Sequence, residues 1–246
     1  MIREPLECRV VFGGRRTPDG DFRSCPRLPD WNPDHTAHIP SNFLKVHAMP
    51  YRDPKAALRA LTEIAASQGG YFTARQAESA GYGPTHLAYH RGAGNIERVG
   101  HGLYRMPAMP PADHDDLVRL WLWSRDRDDQ PQAVVSHQTA LALHDLAEFI
   151  PRTIHLTVPP SFRKPPPAGC MLHKSSLGSD RIQSIGAVPV TTPLQTLADL
   201  SGDASLPVEQ FDRAVAEAAS RGLIGAADAK RLRERVASRH RGGAST

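Results

Sequence analysis

The periodicity of apolar and polar positions changes along the chain, and each periodicity predicts one kind of element. The first helical pattern begins at Lys55 and ends at the pair Gly69-Gly70. Its apolar residues recur at helical spacing: Leu58, Leu61, Ile64 and Ala65. We therefore predict a helix with one apolar face over this stretch.

Two shorter helices follow, and both carry start signals. Thr73 and Gln76 have the spacing of a capping box, which predicts a helix from Thr73 to about Gly81. After this glycine turn, Pro84 suits the first position of a further helix that runs to Gly92. Two short helices joined by a glycine turn make a helix-turn-helix.

Beyond these helices the pattern changes from helical to extended. The run NIERVGHGLYRM contains two short strands around Gly100-His101-Gly102, a segment that suits a hairpin turn with positive φ. The order of helix, capped helix, glycine turn, proline-opened helix and hairpin predicts a winged helix-turn-helix over residues 55–106.

The second region, residues 112–224, mixes helical and strand patterns. Helical periodicity occurs in DLVRLWLWS and in SHQTALALHDL, which begins at Ser136. Extended runs follow as TIHLTV, CMLHK and AVPVTT, and Thr192-Pro193 opens a helix through Leu200. Two more helices are predicted in VEQFDRAVAEAASRG and AADAKRLRERVAS. The strand order does not follow from the sequence.

These patterns together predict an α+β fold with an N-terminal winged helix-turn-helix, a small α/β domain and C-terminal helices. Residues 225–246 form a basic terminal helix and tail, which we interpret as a solvated tail in preference to a phosphate-binding arm. Residues 1–48 are rich in Pro, Gly and Arg and have no periodicity. We therefore predict that residues 1–54 are disordered, or that translation begins at Met49.

The composition limits the kind of protein this is. A hydrophobic content of 40% and a charged content of 23% are typical of a globular protein, and no run approaches the about 20 apolar residues of a membrane span. The 3 cysteines include no CxxC spacing, so neither a disulfide framework nor a structural zinc site is indicated. We expect a cytoplasmic protein that does not bind a membrane.

Charge is unevenly distributed along the chain. Residues 55–106 carry six Lys and Arg against three Asp and Glu, whereas residues 107–148 carry three against eight. Residues 149–176 contain four basic residues and no acidic one. This pattern indicates at least one module that faces a polyanion and one acidic surface for another partner.

The second helix of a helix-turn-helix enters the DNA major groove, which is about 12 Å wide. If Leu87 is its inward anchor, Thr85 and Tyr89 lie on the opposite side at about 100° per residue, with His86 beside them. These three residues are the candidates for base contacts.

Basic residues around this helix are candidates for phosphate contacts. They are Arg75, Arg98, His101 and Arg105. Gln76 and His90 complete the predicted DNA-contacting set. Two alternatives stay open: Tyr89 as a packing residue, and each hairpin arginine as a solvated charge.

Several histidines are further candidates for catalytic or metal sites. His86 and His90, and likewise Cys170 and His173, lack further ligands nearby in sequence, while His137 and His144 suit a core or cap role. Phosphate-loop, hydrolase-elbow and zincin signatures do not occur, and Gly178-Ser179 is not followed by the Asp-x-Asp pair that a nucleotidyltransferase needs. We predict no catalytic residue, metal or cofactor, and a protein that is not an enzyme.

A basic strand-and-loop zone in the second region could contact DNA phosphates or an acidic protein, and the sequence does not decide between them. Its residues are Arg152, Arg163, Lys164 and Lys174, with His155 and His173.

The chain resembles the AbiEi-type antitoxins of bacterial type IV toxin-antitoxin systems over most of residues 57–224. The resemblance rests on IAASQGGYFTARQAESAGY, LAYHRGAGNIERVGHGLYRM, SHQTALALHDL, IHLTVPPSFRK and VPVTTPLQTLADL. It implies a winged helix that binds and represses its own promoter, and a C-terminal domain that counters a nucleotidyltransferase-like toxin. The alternative is a stand-alone winged-helix transcriptional regulator without a toxin partner, and the oligomeric state stays open.

Overall fold

The structure is a computed structural model that describes residues 53–146, 151–203 and 206–242. The predicted extension up to residue 52, including the proposed start at Met49, lies outside the described residues. The described residues form eight α-helices and two sheets, which confirms the α+β class. None of the helices in these ranges is long and apolar enough to cross a membrane.

The first six elements contain the three predicted helices and two predicted strands in the predicted order, and also a strand at Tyr71–Thr73 that was not predicted. They are α1 (Pro54–Ser67), β1 (Tyr71–Thr73), α2 (Ala74–Ala80), α3 (Pro84–Gly92), β2 (Glu97–Gly100) and β3 (Leu103–Arg105). The strands form an antiparallel sheet in the order β1-β3-β2. One expectation for α1 was wrong: Leu58 is 50% exposed, because Ala57 and Leu61 occupy the inward positions.

The remaining elements form a second, five-stranded sheet with helices around it. They are α4 (Asp115–Trp123), β4 (Val134–Val135), α5 (His137–Leu143), β5 (Ile154–Val158), β6 (Cys170–Lys174), β7 (Ile182–Ile185), β8 (Val188–Thr191), α6 (Pro193–Ser201), α7 (Val208–Ser220) and α8 (Ala226–Gly242). The strand order is β6-β5-β4-β8-β7. The pairs β5-β6 and β4-β8 are parallel, and the other two are antiparallel. All the predicted helices and strands of this region are present, whereas β4 and β7 were not predicted.

A central hydrophobic cluster joins the two sheets. It contains α4 residues such as Leu117 and the inward residues of the second sheet such as Leu156 and Val190. Tyr71 and Leu103 of the first sheet are buried in the same cluster. Residues 54–105 therefore share part of their core with the elements that follow.

The terminal helix α8 is a packed element, which corrects the interpretation of a solvated tail. Ala229, Leu232 and Val236 are buried in a cluster with residues of α6 and α7. The other positions of the helix are mostly basic, so the three apolar positions do not stand out as an apolar face in the sequence.

Candidate nucleic-acid interface

A capping box and a proline position the two helices of the helical pair. The Thr73 hydroxyl accepts a hydrogen bond from the Gln76 amide at 2.9 Å, and the Gln76 side chain accepts one from the Thr73 amide at 2.9 Å. Gly81 ends α2 with φ of 105°, a conformation that glycine adopts without strain. Pro84 then opens α3, so both predicted start signals are confirmed.

The outward face of α3 is open to solvent. Leu87 is the buried residue of this helix, as predicted, and Thr85 and His86 are exposed. Tyr89 is 71% exposed, which excludes a core-packing role for it. An exposed tyrosine offers a ring for stacking and a hydroxyl for hydrogen bonding.

The two histidines of α3 pack around one tyrosine. The Tyr82 ring lies 6.1 Å from the His86 ring and 5.3 Å from the His90 ring, measured between centroids. His90 is half-buried, and its Nδ1 lies 3.1 Å from the Asn95 side-chain amide. In the described ranges, no three His, Cys, Asp or Glu residues are grouped so that they hold a metal ion.

The β2–β3 hairpin, which follows α3 in the chain, has two exposed basic side chains. Arg98 and His101 are exposed, and the Arg98 Nε donates to the Gly100 carbonyl at 3.2 Å. Arg105 is half-buried and donates to the Met109 carbonyl at 2.9 Å, and its guanidinium lies 6.0 Å from the Tyr71 ring centroid. This bond uses one of the guanidinium donors of Arg105, so a phosphate contact would use the remaining ones.

The start of α2 is held by a loop of the second region. The Arg75 guanidinium donates to the Arg127 carbonyl, and the Thr73 hydroxyl donates to Asp129. Asp129 also pairs with Arg125 at 2.9 Å. Arg75 is exposed, so its remaining donors face solvent.

The side chain of Gln76 is occupied within the protein. Its Nε2 donates to the Gln68 side-chain oxygen at 3.0 Å, in addition to the capping bond that its oxygen accepts. In this arrangement Gln76 positions α2, and a DNA contact by its side chain would require these bonds to break.

Three histidines meet on one face of the second sheet: His155 and His173, which the sequence placed together in the basic zone, and His137, which it did not connect with them. The His137 and His173 rings are stacked with centroids 3.5 Å apart, and His155 Nδ1 lies 3.0 Å from His173 Nε2. Burial first, and then the neighbouring imidazoles, lower the pKa of His137 to about 4. Burial is also the largest cause of the lowered pKa of His155 and of His173.

This histidine cluster, His137, His155 and His173, was missed because its members come from α5, β5 and β6. Thr157 pairs with His173 in the parallel register, so His155 and Thr157 lie on the sheet face opposite Leu156 and Val158. The period-2 alternation of IHLTV was the available signal, since it places His155 and Thr157 on one face. The cluster borders a polar cavity of about 670 Å³, which His137 and His173 help to line.

The other predicted core histidine, His144, is buried and structural. Its Nε2 lies 2.8 Å from the Thr191 carbonyl, so this nitrogen carries the proton and donates. Burial lowers the pKa of His144, and the hydrogen bond to Thr191 opposes that shift. The predicted core role of this residue is confirmed.

Comparison with known proteins supports a regulator in the first part of the chain. Residues 59–107 match the family model described as a transcriptional regulator, AbiEi antitoxin. A search of curated proteins finds no match. A solved structure, the RV2827C protein from Mycobacterium tuberculosis, aligns with 15% identity over 75% of this chain and 82% of that chain, with a TM-score of 0.40.

Proposed function

We propose that the protein is an antitoxin of a type IV toxin-antitoxin system that binds its own promoter through a winged helix-turn-helix. In this proposal it represses its operon and counteracts a nucleotidyltransferase-like toxin. The observation that carries the DNA-binding part is the exposed outer face of α3, in a segment, residues 59–107, that matches an AbiEi regulator model.

Helix α3 is the proposed recognition helix. Its exposed residues Thr85, His86 and Tyr89 would meet base edges in the major groove, where a helix fits and each base pair presents a distinct pattern of donors and acceptors. His90 flanks this face and would contact DNA through its Nε2, because its Nδ1 faces Asn95. Sequence-specific binding follows from these contacts.

The hairpin and the start of α2 would bind the DNA backbone. Arg98 and His101 are exposed and need no rearrangement, while Arg75 keeps donors free beside its bond to Arg127. Phosphate contacts set the affinity and the position of the protein on the duplex but carry no sequence information. Arg105 is half-buried, and it would join them through the guanidinium donors that its bond to the Met109 carbonyl leaves free.

The second region is the proposed antitoxin part. Its role against a toxin rests on the resemblance to AbiEi antitoxins. We propose that it acts by binding and not by catalysis. A cytoplasmic location is part of the same proposal, because the promoter and the toxin would both be encountered there.

A titration of promoter DNA tests the DNA-binding proposal. The full chain is added to a labelled duplex from upstream of its gene, with a scrambled duplex as control, across a range of salt concentrations. Preferential binding of the promoter duplex is expected, with an affinity that falls linearly with the logarithm of the salt concentration. Equal binding of both duplexes would refute sequence-specific recognition.

A second candidate is a stand-alone winged-helix regulator whose second region senses a ligand. The polar cavity of about 670 Å³ favours it, since binding sites for small molecules are concave and of this size. Co-expression separates the two: an antitoxin restores growth to cells that express the nucleotidyltransferase gene next to its own, and a stand-alone regulator does not.

A further inference from the structure

The cavity beside the histidine cluster is bordered by positively charged side chains from three separate elements. Lys174 comes from β6, Arg181 from the short 3-10 helix Ser179–Arg181, and Arg235 from α8. None of the three lies within ion-pair distance of a carboxylate in the part of the chain that the structure describes. Three cations that converge on one cavity without fixed partners form a site for an anion.

One carboxyl group lies among these cations with half of its hydrogen-bonding capacity unused. Asp199 accepts a hydrogen bond from Gln195 Nε2 at 2.6 Å through Oδ1, whereas its buried Oδ2 has no partner among the described residues. A buried polar atom without a partner is costly, and a ligand donor would satisfy it once the Asp199 side chain turns toward the cavity, which Asp199 helps to line. Burial raises the pKa of Asp199, while Gln195, Arg181 and Arg235 oppose that rise.

The two features together define the chemistry of a ligand. Guanidinium groups bind phosphate oxygens through paired N–H donors, and lysine adds a point charge. A carboxylate oxygen instead accepts hydrogen bonds from sugar hydroxyl or amino groups. We propose that this cavity binds a small phosphate ester with hydroxyl groups, a sugar phosphate or a nucleotide, with its phosphate at Arg181, Arg235 and Lys174 and a hydroxyl group at Asp199.

The shape of the site distinguishes this ligand from DNA. A volume of about 670 Å³ lies within the range of about 300–1,000 Å³ typical of small-molecule sites. Such a cavity encloses a small ligand, whereas the backbone of a double helix would contact only the exposed side chains at its rim. The proposal is therefore for free phosphate esters, independently of whether α3 binds DNA.

The histidine cluster does not turn the cavity into a metal site. The His137 and His173 rings are parallel within 13° and stacked face to face, so their nitrogen lone pairs lie in parallel planes and do not converge on one point. His155 Nδ1 and His173 Nε2 share a hydrogen bond of 3.0 Å, so one of these two nitrogens carries a proton and offers no lone pair to a metal ion. The cluster contributes a neutral wall of stacked rings to the cavity.

Isothermal titration calorimetry on the full chain tests the proposal with ribose 5-phosphate, AMP and inorganic phosphate as probes. We expect saturable binding of at least one phosphate ester, about tenfold or more weaker binding for Arg181→Gln and for Arg235→Gln, and unchanged binding for Arg233→Gln. Arg233 is the matched control, because it lies on α8 but near Asp212, at 3.9 Å. Should Arg235→Gln fail to fold, Arg181→Gln and Lys174→Gln carry the test.

The Asp199→Asn variant separates the two halves of the site. It should weaken ribose 5-phosphate more than inorganic phosphate, because only the former presents sugar hydroxyl donors to Asp199 while its phosphate is held by the three cations. No binding of any probe up to about 10 mM would overturn the proposal. Equal weakening by Arg181→Gln and Arg233→Gln would overturn it as well, since this result indicates only the general positive charge of the protein.

Discussion

The Tyr71 hydroxyl donates a hydrogen bond of 2.6 Å to Asp115, which connects the first sheet to the first helix of the second region. Tyr71 is almost completely buried, and burial, with the contribution of Asp115, raises its pKa to about 12. The Asp115 Oδ1 has no partner among the described residues, so Tyr71 is the hydrogen-bond donor that the structure provides to this carboxylate.

Tyr71→Phe should therefore lower the free energy of unfolding. The ring stays in the core, but the Asp115 Oδ2 loses its donor, and an unsatisfied buried acceptor costs about 1–3 kcal/mol. Urea denaturation followed by circular dichroism measures the loss. Tyr89→Phe is the matched control: its hydroxyl is on an exposed residue, so it should change stability by no more than about 0.5 kcal/mol.

Base-contacting and phosphate-contacting residues should differ in how their loss affects DNA binding. Thr85→Ala, or Tyr89→Ala, should cost about 1–3 kcal/mol at particular base pairs. Arg98→Ala should weaken all duplexes alike and reduce the slope of log affinity against log salt by about 0.9.

Fluorescence anisotropy with promoter and scrambled duplexes measures both effects. Arg233→Ala is the control on the distant helix α8 and should leave the slope unchanged. A loss confined to one base pair for Arg98→Ala would contradict its phosphate role, and equal losses on both duplexes for Thr85→Ala would contradict base recognition.

The histidine cluster should make the protein less stable in mild acid. The pKa of His137 is about 4 in the folded protein and about 6.5 as its ordinary value, so the unfolded chain binds more protons between these two pH values. The contribution of neutral His137 to the free energy of unfolding is complete above pH 6.5, and it is lost as the pH falls toward 4. His173, His155 and Asp203 are the charged or titratable groups that act on His137.

The measurement is the urea midpoint between pH 4.5 and 7 for the wild type and for His137→Gln. The variant should show a shallower decrease as the pH falls, because it no longer has this proton-binding group. Parallel curves for the two proteins would contradict a contribution of His137 to the acid sensitivity.

Helix α8 should contribute directly to the stability of the fold. Leu232 is 6% exposed and packs in the cluster with α6 and α7, so Leu232→Ala should cost about 2–5 kcal/mol. Leu223 is 39% exposed, and Leu223→Ala should cost much less. If both variants melted like the wild type, the helix would be a dispensable tail after all.

Local signals in the sequence predicted the elements of the first region well. The Thr73–Gln76 capping box and Pro84 act within a few residues of where they stand, so their consequences could be worked out without knowing the rest of the fold. The same holds for Thr192, which caps α6 by accepting from the Gln195 amide. Ser136 also stands at a helix start, but its hydroxyl accepts from Thr157 and makes no capping bond.

The missing parts of the prediction depend on contacts between distant residues. Strand β4 is only Val134–Val135 and is defined by its neighbours β5 and β8. The histidine cluster and the cavity depend on the parallel pairing of β5 with β6, which no local spacing reveals. The apolar stripe of α8 was obscured by the charges around it, and its burial becomes evident only when α6 and α7 are in place.

The shared core of the two sheets has a practical consequence for dissecting the protein. A fragment cut after Met106 would leave the rings and branched side chains of Tyr71 and Leu103 facing water, because the residues that cover them come later in the chain. A fusion of this fragment alone to another protein is therefore not expected to keep the fold of the fragment. Anything that loosens its support from α4 and the second sheet also disturbs the strands on either side of α3.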